Sequence, residues 1–334
     1  MATGSQSFTG TTGNDTFIGA SGVDTITTNT GVDIVLAGNG NDTITVDGAG
    51  NKTIDGGSGT DSLIISVSGI NNLGDYAYTT SGGYTVLTDS SSNVIQYKNI
   101  QSLTVGDYTY IEDTSANTFW NATEKVLYLY DSAVVASSDI TSLSGFSASA
   151  NLSLVAIGSG STLNLNINRD SALTGNLTLS MGDGVDFINS GKFKDGDSID
   201  LGAGDDVVSV MVSGSNGTPA FTDLDMAKLD GGAGTDTLEF SEATTGGAEI
   251  NLTRGGAVNF ENLLGSGSAE IVRGDTGNNV LQGGGAADTI YGGSGNDSLF
   301  AHYGSAGNGS SITDQTTNDN LYGEAGDDIL SASK

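Results

Sequence analysis

Acidic and amide side chains recur every nine residues within residues 265–300, which read GSGSAEIVR, GDTGNNVLQ, GGGAADTIY and GGSGNDSLF. Each unit approximates the pattern G-G-x-G-x-D-x-U-x, in which U is a large apolar residue. The glycines let the backbone turn sharply and leave its carbonyl oxygens pointing inward. The sixth residue of each unit adds a hard side-chain oxygen. Because Ca²⁺ prefers six to eight oxygen ligands, the spacing predicts turns that bind this cation. The sixth positions are Glu270, Asn279, Asp288 and Asp297.

The elements that position these oxygens are short strands. The x-U-x triplet of each unit predicts a strand whose central side chain faces a core. Two units make one coil of a flattened solenoid, so sixth positions two units apart stack on the same edge. The predicted stacked pairs are Glu270 with Asp288, and Asn279 with Asp297. The apolar eighth positions are Val272, Leu281, Ile290 and Leu299.

Residues 10–64 carry a first block of the same pattern, with one spare residue at Val46. Lys52 stands where an acidic residue is expected. Its ammonium group either replaces a cation electrostatically or ends one row of sites, and the second interpretation is favoured. The remaining sixth positions are Asp15, Asp24, Asp33, Asp42 and Asp61. The predicted stacked pairs are Asp15 with Asp33, Asp24 with Asp42, and Asp42 with Asp61. The predicted core ladder is Phe17, Ile26, Val35, Ile44, Ile54 and Leu63.

Degenerate copies occur elsewhere in the chain. Residues 181–239 place four aspartates in the sixth position, and the last repeats place two more. Asp186 and Asp206 are expected to share an edge after allowance for two inserted residues. These further candidate calcium ligands are Asp186, Asp197, Asp206, Asp236, Asp319 and Asp328.

The fold class predicted by these patterns is all-β, a parallel β-roll or β-helix solenoid with calcium-binding turns and a β-rich insert. Five segments are expected. They are an N-terminal repeat block at 1–64, an antiparallel β-rich insert at 65–112, a metal-poor β-helix-like segment at 113–180, degenerate repeats with a spacer at 181–264, and a C-terminal repeat block at 265–334.

Composition narrows the classes of function. The formal net charge is −30, with 40 Asp and Glu against 10 Lys and Arg. Because nucleic acids and anionic membranes are also negatively charged, this acidic composition argues against them as partners and favours divalent cations. There is no cysteine, so bound metal rather than disulfides is expected to offset chain entropy. No stretch approaches 18 apolar residues, so no transmembrane helix and no membrane insertion are expected.

The nonapeptides at 10–64 and 265–300 resemble those of the RTX (hemolysin-type calcium-binding repeat) proteins, in particular members that build surface layers and extracellular filaments. The resemblance implies several bound Ca²⁺ ions, type I secretion, and a location outside the cell or on its surface. The expectation of type I secretion agrees with the first ten residues, MATGSQSFTG, which lack the basic region and apolar run of an N-terminal signal peptide. The family includes toxins, proteases, lipases and adhesins, so the resemblance alone leaves the final function open.

No catalytic role is expected. The single histidine, His302, excludes an HExxH zinc site, and there is no G-x-S-x-G nucleophile motif. His302 is interpreted as an exposed loop residue. Tyrosines within 65–112 could form a carbohydrate-binding face, although ordinary cross-strand packing is the favoured interpretation. They are Tyr76, Tyr78, Tyr84, Tyr97, Tyr108 and Tyr110.

The sequence therefore predicts a secreted, calcium-dependent structural protein that folds on extracellular Ca²⁺ and self-assembles into a surface layer, filament or biofilm matrix. Its principal partner is expected to be another copy of itself, with cell-surface polysaccharide as a further partner class. The alternative is an adhesin, or a secretion and folding module of a larger RTX protein, that binds glycans or surfaces.

Overall fold

The structure, a computed structural model, describes residues 4–113, 117–130, 133–157, 162–167, 173–191, 193, 196–210, 228–240, 248–252, 257–302 and 318–332. The predicted all-β solenoid with parallel sheets is confirmed. Contacts divide the chain into two compact units, one formed by residues 1–133 and 155–159 and the other by residues 134–154 and 160–334.

The first unit winds its chain alternately between two sheets. Neighbours in one sheet run β1-β3-β5-β7-β11-β12-β13-β14, and in the other β2-β4-β6-β10-β9-β8. The alternation arises because each nonapeptide supplies one strand and then turns to the opposite sheet. The strands are β1 (Ser7–Thr9), β2 (Thr16–Ile18), β3 (Thr25–Thr27), β4 (Asp33–Leu36), β5 (Thr43–Val46), β6 (Lys52–Asp55), β7 (Ser62–Ile65), β8 (Tyr76–Ser81), β9 (Tyr84–Asp89), β10 (Val94–Lys98), β11 (Ser102–Val105), β12 (Tyr108–Asp113), β13 (Thr118–Asn121) and β14 (Val126–Leu129).

The core of the first unit is the ladder of large apolar residues that the nonapeptides predict. Phe8 pairs with Ile26, Ile26 with Ile44, and Ile44 with Leu63, each in parallel register. Every member of the predicted ladder is buried. One apolar side chain per strand is therefore enough to fill the space between the two sheets.

The strands of the insert, residues 65–112, join both sheets of the first unit. Strands β8, β9 and β10 pair antiparallel, as predicted, but β10 also pairs parallel with β6, and β11 pairs parallel with β7. Antiparallel pairing then continues through β12, β13 and β14, beyond residue 112, where a β-helix-like segment was expected. The hairpins thus extend the same two sheets.

Most tyrosines of the insert are core residues. Tyr76, Tyr78, Tyr97 and Tyr110 are buried. The Tyr78 ring lies 5.6 Å from that of Phe119, edge to face. Such packing, the favoured interpretation from sequence, leaves these four rings unavailable as a carbohydrate-binding face.

The second unit repeats the arrangement with different sheet neighbours. One sheet runs β15-β17-β19-β21-β23-β25-β27-β29-β31, another β24-β26-β28-β30, and β16, β18, β20 and β22 lie side by side. The residues of β16 are divided between the units. A short helix, α1 (Ser137–Ser142), follows β15, and among the described residues no helix is long and apolar enough to cross a membrane. The strands are β15 (Val134–Ala136), β16 (Leu152–Ala156), β17 (Asn164–Asn166), β18 (Leu177–Ser180), β19 (Phe187–Gly191), β20 (Ser198–Asp200), β21 (Val207–Val210), β22 (Lys228–Asp230), β23 (Thr237–Phe240), β24 (Ala248–Asn251), β25 (Asn262–Leu264), β26 (Glu270–Arg273), β27 (Val280–Gly284), β28 (Thr289–Ser294), β29 (Ser298–His302), β30 (Asn320–Ala325) and β31 (Ile329–Ser331).

His302 is buried, which corrects its interpretation as an exposed loop residue. It ends β29, and its position pairs with Gly284 of β27. Its Nε2 atom lies 3.5 Å from Oδ2 of Asp319. Its place in β29 explains the burial.

Candidate functional site

The sixth-position side chains form rows that run from coil to coil. In the first unit, the backbone N–H of Asp24 donates to Oδ1 of Asp42 at 2.7 Å, and that of Asp42 donates to Oδ1 of Asp61 at 2.8 Å. Asp15 donates in the same way to Oδ1 of Asp33 at 2.9 Å. Each carboxylate therefore fastens the preceding coil, and the three pairs predicted here are stacked.

The second unit contains the same rows. Asp186 donates its N–H to Oδ1 of Asp206, and Asp206 donates to Oδ1 of Asp236. Elsewhere Leu177 donates to Asp197. The predicted pairs of the C-terminal block are also stacked, since the backbone N–H of Glu270 donates to Asp288 and that of Asn279 donates to Asp297. The backbone N–H groups of Asp288 and Asp297 donate in turn to Asp319 and Asp328, respectively.

The second oxygen of these carboxylates is the notable atom. Oδ1 is used by the backbone, whereas Oδ2 is buried and has no hydrogen-bond donor at seven of the predicted ligands, and at an eighth, Asp33, the buried Oδ2 lies 3.2 Å from the ammonium of Lys52. A buried anionic oxygen without a donor is costly unless a cation lies beside it. The seven residues are Asp42, Asp61, Asp186, Asp206, Asp236, Asp288 and Asp297.

The space beside each first-position glycine is lined by oxygen. A Cβ added to Gly292 would lie 2.6 Å from the carbonyl oxygen of Gly323 and would overlap Oδ2 of Asp297. A Cβ added to Gly231 would lie 2.9 Å from Oδ2 of Asp236 and would overlap the carbonyl oxygen of Asn259. A carboxylate oxygen and a carbonyl oxygen from the neighbouring coil thus face one small space. These hard oxygen donors fit Ca²⁺.

Carbonyl oxygens are needed because the carboxylates alone are too sparse. Among the described residues, no three His, Cys, Asp or Glu side chains come together as a metal cluster. In each turn, one or two side-chain carboxylates must therefore act with the backbone. The turn geometry supplies what the side chains lack.

Burial raises the pKa of the row carboxylates. It raises the pKa of Asp186 and Asp288 to about 7 and that of Asp206 and Asp236 to about 6, from an ordinary 3.8. Burial also raises the pKa of Asp42, Asp61 and Asp297. Without a bound cation, burial thus disfavours the charged form of these carboxylates relative to an exposed aspartate.

These shifts predict a pH dependence for the calcium-free protein. Because the folded state holds these protons more tightly than the unfolded state, folding is favoured below pH 4 and loses stability as pH rises through about 6 to 7. Calcium-free protein should therefore unfold at a lower denaturant concentration at pH 8 than at pH 5. Circular dichroism in chelator-resin-treated buffers tests this. Equal or greater stability at pH 8 would contradict it, and saturating calcium should reverse the trend.

Several predicted ligands depart from the common arrangement. Both carboxylate oxygens of Asp24 accept backbone N–H groups, from Gln6 and Ala20. The carboxylate of Glu270 accepts the hydroxyl and the N–H of Ser266. Three predicted ligands in the outermost coils are only half-buried: Asp15, Asp319 and Asp328.

Lys52 both ends its row and lies inside a turn. It is buried, and Nζ is 3.2 Å from Oδ2 of Asp33. The oxygen of Asp33 that a calcium site would use therefore faces an ammonium group. The favoured interpretation, that Lys52 only ends the row, omitted this contact.

Two row residues escaped the repeat pattern. Gln101 accepts the N–H of Asp61 through Oε1, and Glu261 accepts the N–H of Asp236 through Oε2. Gln101 has no glycine among the eight residues before it, and Glu261 follows only the pair Gly255 and Gly256. The signal that would have found them is shorter: each precedes a buried leucine by two residues, Leu103 and Leu263 respectively.

Comparisons with known proteins agree with the repeat geometry. A family model described as the RTX calcium-binding nonapeptide repeat matches four copies, at residues 9–44, 46–64, 264–299 and 303–334. These repeats bind Ca²⁺ at multiple sites. A crystal structure of the extracellular lipase LipA from Serratia marcescens matches with 14% identity and a TM-score of 0.20, covering 91% of this chain and 34% of the lipase chain. The chain thus spans about a third of that lipase's length. No curated protein matches the sequence.

Proposed function

We propose that this chain, which carries four matches to the RTX calcium-binding nonapeptide repeat, is a secreted structural protein that folds on extracellular Ca²⁺ and self-assembles. The assembly would be a surface layer, a filament or a biofilm matrix, and the chain would have no catalytic role. Type I export is the route that the family resemblance supports.

The observation that carries the folding part of the proposal is the set of buried carboxylate oxygens without donors in both units. At low calcium inside a cell, these anions oppose folding in a chain whose net charge is already −30. When calcium is bound, it supplies positive charge to the oxygen-lined turns. The coils then close through backbone N–H groups that donate to the Oδ1 atoms of the next coil along each row.

The number of sites makes the switch strong. If free calcium exceeds the dissociation constant about 100-fold, each site adds roughly 2.7 kcal/mol to the free energy of unfolding. Several such sites together match or exceed the roughly 5–15 kcal/mol that stabilises an ordinary domain. Calcium binding therefore supplies enough free energy to decide whether the repeat blocks fold.

The outermost described coils support self-assembly. Strands β1 and β2 each end a sheet of the first unit, and β30 and β31 each end a sheet of the second. Ile18, at 66% exposed, and Ile329, at 63%, present large apolar side chains on these edge strands. Open strand edges of this kind can be extended by another chain.

The rows give these edges complementary chemistry. Among the described residues, the backbone N–H groups of Asp319 and Asp328 have no acceptor, and Oδ1 of Asp15 has no donor. Gln6 begins the row that continues through Asp24, because its N–H donates to that carboxylate. Gln101, in the same row, accepts an N–H through its side-chain oxygen. Head-to-tail stacking of two copies would join donors to acceptors in both rows.

Calcium titration of the chelator-stripped protein tests the proposal, with circular dichroism and negative-stain microscopy on the same samples. Calcium should induce β-structure and ordered polymers, whereas magnesium at equal concentration should induce neither. Polymers without a calcium response would contradict the folding switch. β-Structure that stays monomeric would contradict assembly.

Two variants test the contact. Ile329→Lys should abolish polymers and leave the calcium-induced spectrum unchanged. Ile111→Lys is the matched control, since Ile111 is 52% exposed but lies in β12, an inner strand of its sheet. Equal loss of polymers in both variants would argue against edge-to-edge stacking.

The second candidate, an adhesin or a module of a larger protein, is favoured by one surface feature. On the sheet β24-β26-β28-β30, the Arg273 guanidinium lies 4.1 Å from the ring centroid of Tyr291, and Tyr291 stacks on Tyr322 at 4.9 Å. Tyr322 is 48% exposed. Flat, exposed aromatic rings suit sugar faces, and glycan binding that Tyr322→Ala abolishes in a monomeric protein would favour this candidate.

A further inference from the structure

The turn that contains Lys52 is lined by the same kinds of oxygen atoms as the calcium turns. Nζ donates to the carbonyl oxygen of Gly31 at 2.8 Å, that of Ala49 at 3.2 Å and that of Gly50 at 3.3 Å. It also lies 3.2 Å from Oδ2 of Asp33. Three carbonyl oxygens and one carboxylate oxygen therefore surround a single positive charge.

The environment of this charge is enclosed. The side chains of Lys52 and Asp33 are both fully buried. Lysine is almost never buried unless it is paired, because removing its charge from water is expensive. Here the compensating groups come from two successive coils: Gly31 and Asp33 from one, Ala49 and Gly50 from the next.

The contrast with the rest of the row positions is informative. Oδ2 of Asp33 faces an ammonium, whereas Oδ2 of Asp42, Asp61 and Asp288 has no positively charged or hydrogen-donating neighbour among the described residues. Lys52 occupies the sixth position of the repeat DGAGNKTID, where the neighbouring repeat GGSGTDSLI has Asp61. Lys52 thus takes the place of both the sixth-position carboxylate and the cation that this carboxylate would bind.

We propose that Lys52 is a built-in cation that permanently fills one divalent-cation site. The ammonium neutralises Asp33 and holds the carbonyl oxygens of two coils together. The pairing of β4 with β6 is then independent of calcium, whereas pairing in the C-terminal block requires it. The first unit thereby keeps a local nucleus from which calcium-dependent coils can extend, since solenoid coils gain stability mainly from their neighbours.

Hydrogen exchange of the calcium-free protein tests the nucleus. Peptides that cover β4 and β6 should remain more protected in EGTA than peptides that cover β27 and β29. Lys52→Met should remove this protection, because it leaves the Asp33 carboxylate buried without a counter-charge. The matched control is Lys98→Met, since Lys98 pairs with Asp55 at 3.1 Å in the adjoining strand but is 35% exposed. Unchanged protection in Lys52→Met, or equal loss in Lys98→Met, would overturn the proposal.

Calcium stoichiometry tests the site itself. Lys52→Asp restores the repeat pattern and should bind one more Ca²⁺ per chain than the wild type in equilibrium dialysis. Its β4 and β6 peptides should become protected only when calcium is present. A variant that binds no additional calcium would overturn the proposal, whether or not it folds. The double variant Lys52→Met with Asp33→Asn removes both charges and should recover part of the protection lost in Lys52→Met. Failure of this recovery would mean that the ion pair is not the cause.

Discussion

Replacing Asp42 with alanine is expected to lower the stability of the first unit by about 4–6 kcal/mol in saturating calcium. Two losses add. The N–H of Asp24 loses its acceptor and stays buried, which costs roughly 1–3 kcal/mol. One calcium site loses its carboxylate, which removes roughly 2.7 kcal/mol if calcium is about 100-fold above its dissociation constant.

Asp42→Asn separates the two losses, because the amide oxygen can still accept the N–H of Asp24. Its destabilisation should be about 3 kcal/mol in calcium. Asp47→Asn is the matched control: Asp47 accepts the N–H of Asn29 at 2.8 Å but is exposed and outside the rows. Its effect should stay within about 0.5 kcal/mol.

Fluorescence of Trp120, the single tryptophan, reports unfolding of the first unit selectively. Denaturant titrations of the three variants in calcium and in EGTA give the comparison. If Asp42→Asn destabilises the unit as much as Asp42→Ala does, the carboxylate does not fasten the coil through its Oδ1 atom.

Replacing Gly59 with alanine is the second change with a large expected effect. Gly59 has φ +139°, and an added Cβ would overlap the carbonyl oxygen of Gly40 in the preceding coil. The backbone strain costs roughly 1–3 kcal/mol, and forcing the coils apart costs roughly 1–3 kcal/mol more. The variant should lose about 2–6 kcal/mol and should need more calcium to fold.

Gly69→Ala provides the control for the backbone term alone. Gly69 also has a positive φ, +88°, but an added Cβ would meet no atom within 4 Å. Both variants can be followed by Trp120 fluorescence during calcium titration. Equal midpoints for Gly59→Ala and Gly69→Ala would show that close approach between coils is not what requires glycine at position 59.

The nine-residue periodicity predicts the buried ladder and the stacked carboxylates, because both arise from the repeat itself. The buried ladder from Phe17 to Leu63 and the stacking of Asp24 on Asp42 follow from nine-residue spacing alone. That spacing fixes both the strand and the turn. The role of these carboxylates as calcium ligands stays a prediction that the variants above test.

Long-range pairing escapes the same reasoning. The parallel pairing of β10 with β6 joins Ile95 to Lys52 across an insert whose internal pattern indicates only hairpins. The carbonyl environment of Lys52 and the burial of His302 also depend on neighbours supplied by other coils. No local pattern encodes such contacts, because each combines two distant stretches of chain.

The hydrogen bonds of the rows keep the same length while the number of residues between their partners changes. The bond is 2.9 Å for Asp15 and Asp33, which are 18 residues apart, and 2.8 Å for Asp288 and Asp319, which are 31 apart. It is also 2.8 Å for Asp206 and Asp236, at 30 residues. The geometry of the rows is thus independent of how many residues separate two coils, and the entropic cost of a longer connection grows only slowly with its length. The molecule is therefore a natural scaffold for displaying foreign peptides, provided that the residue two positions before each buried apolar side chain is left intact.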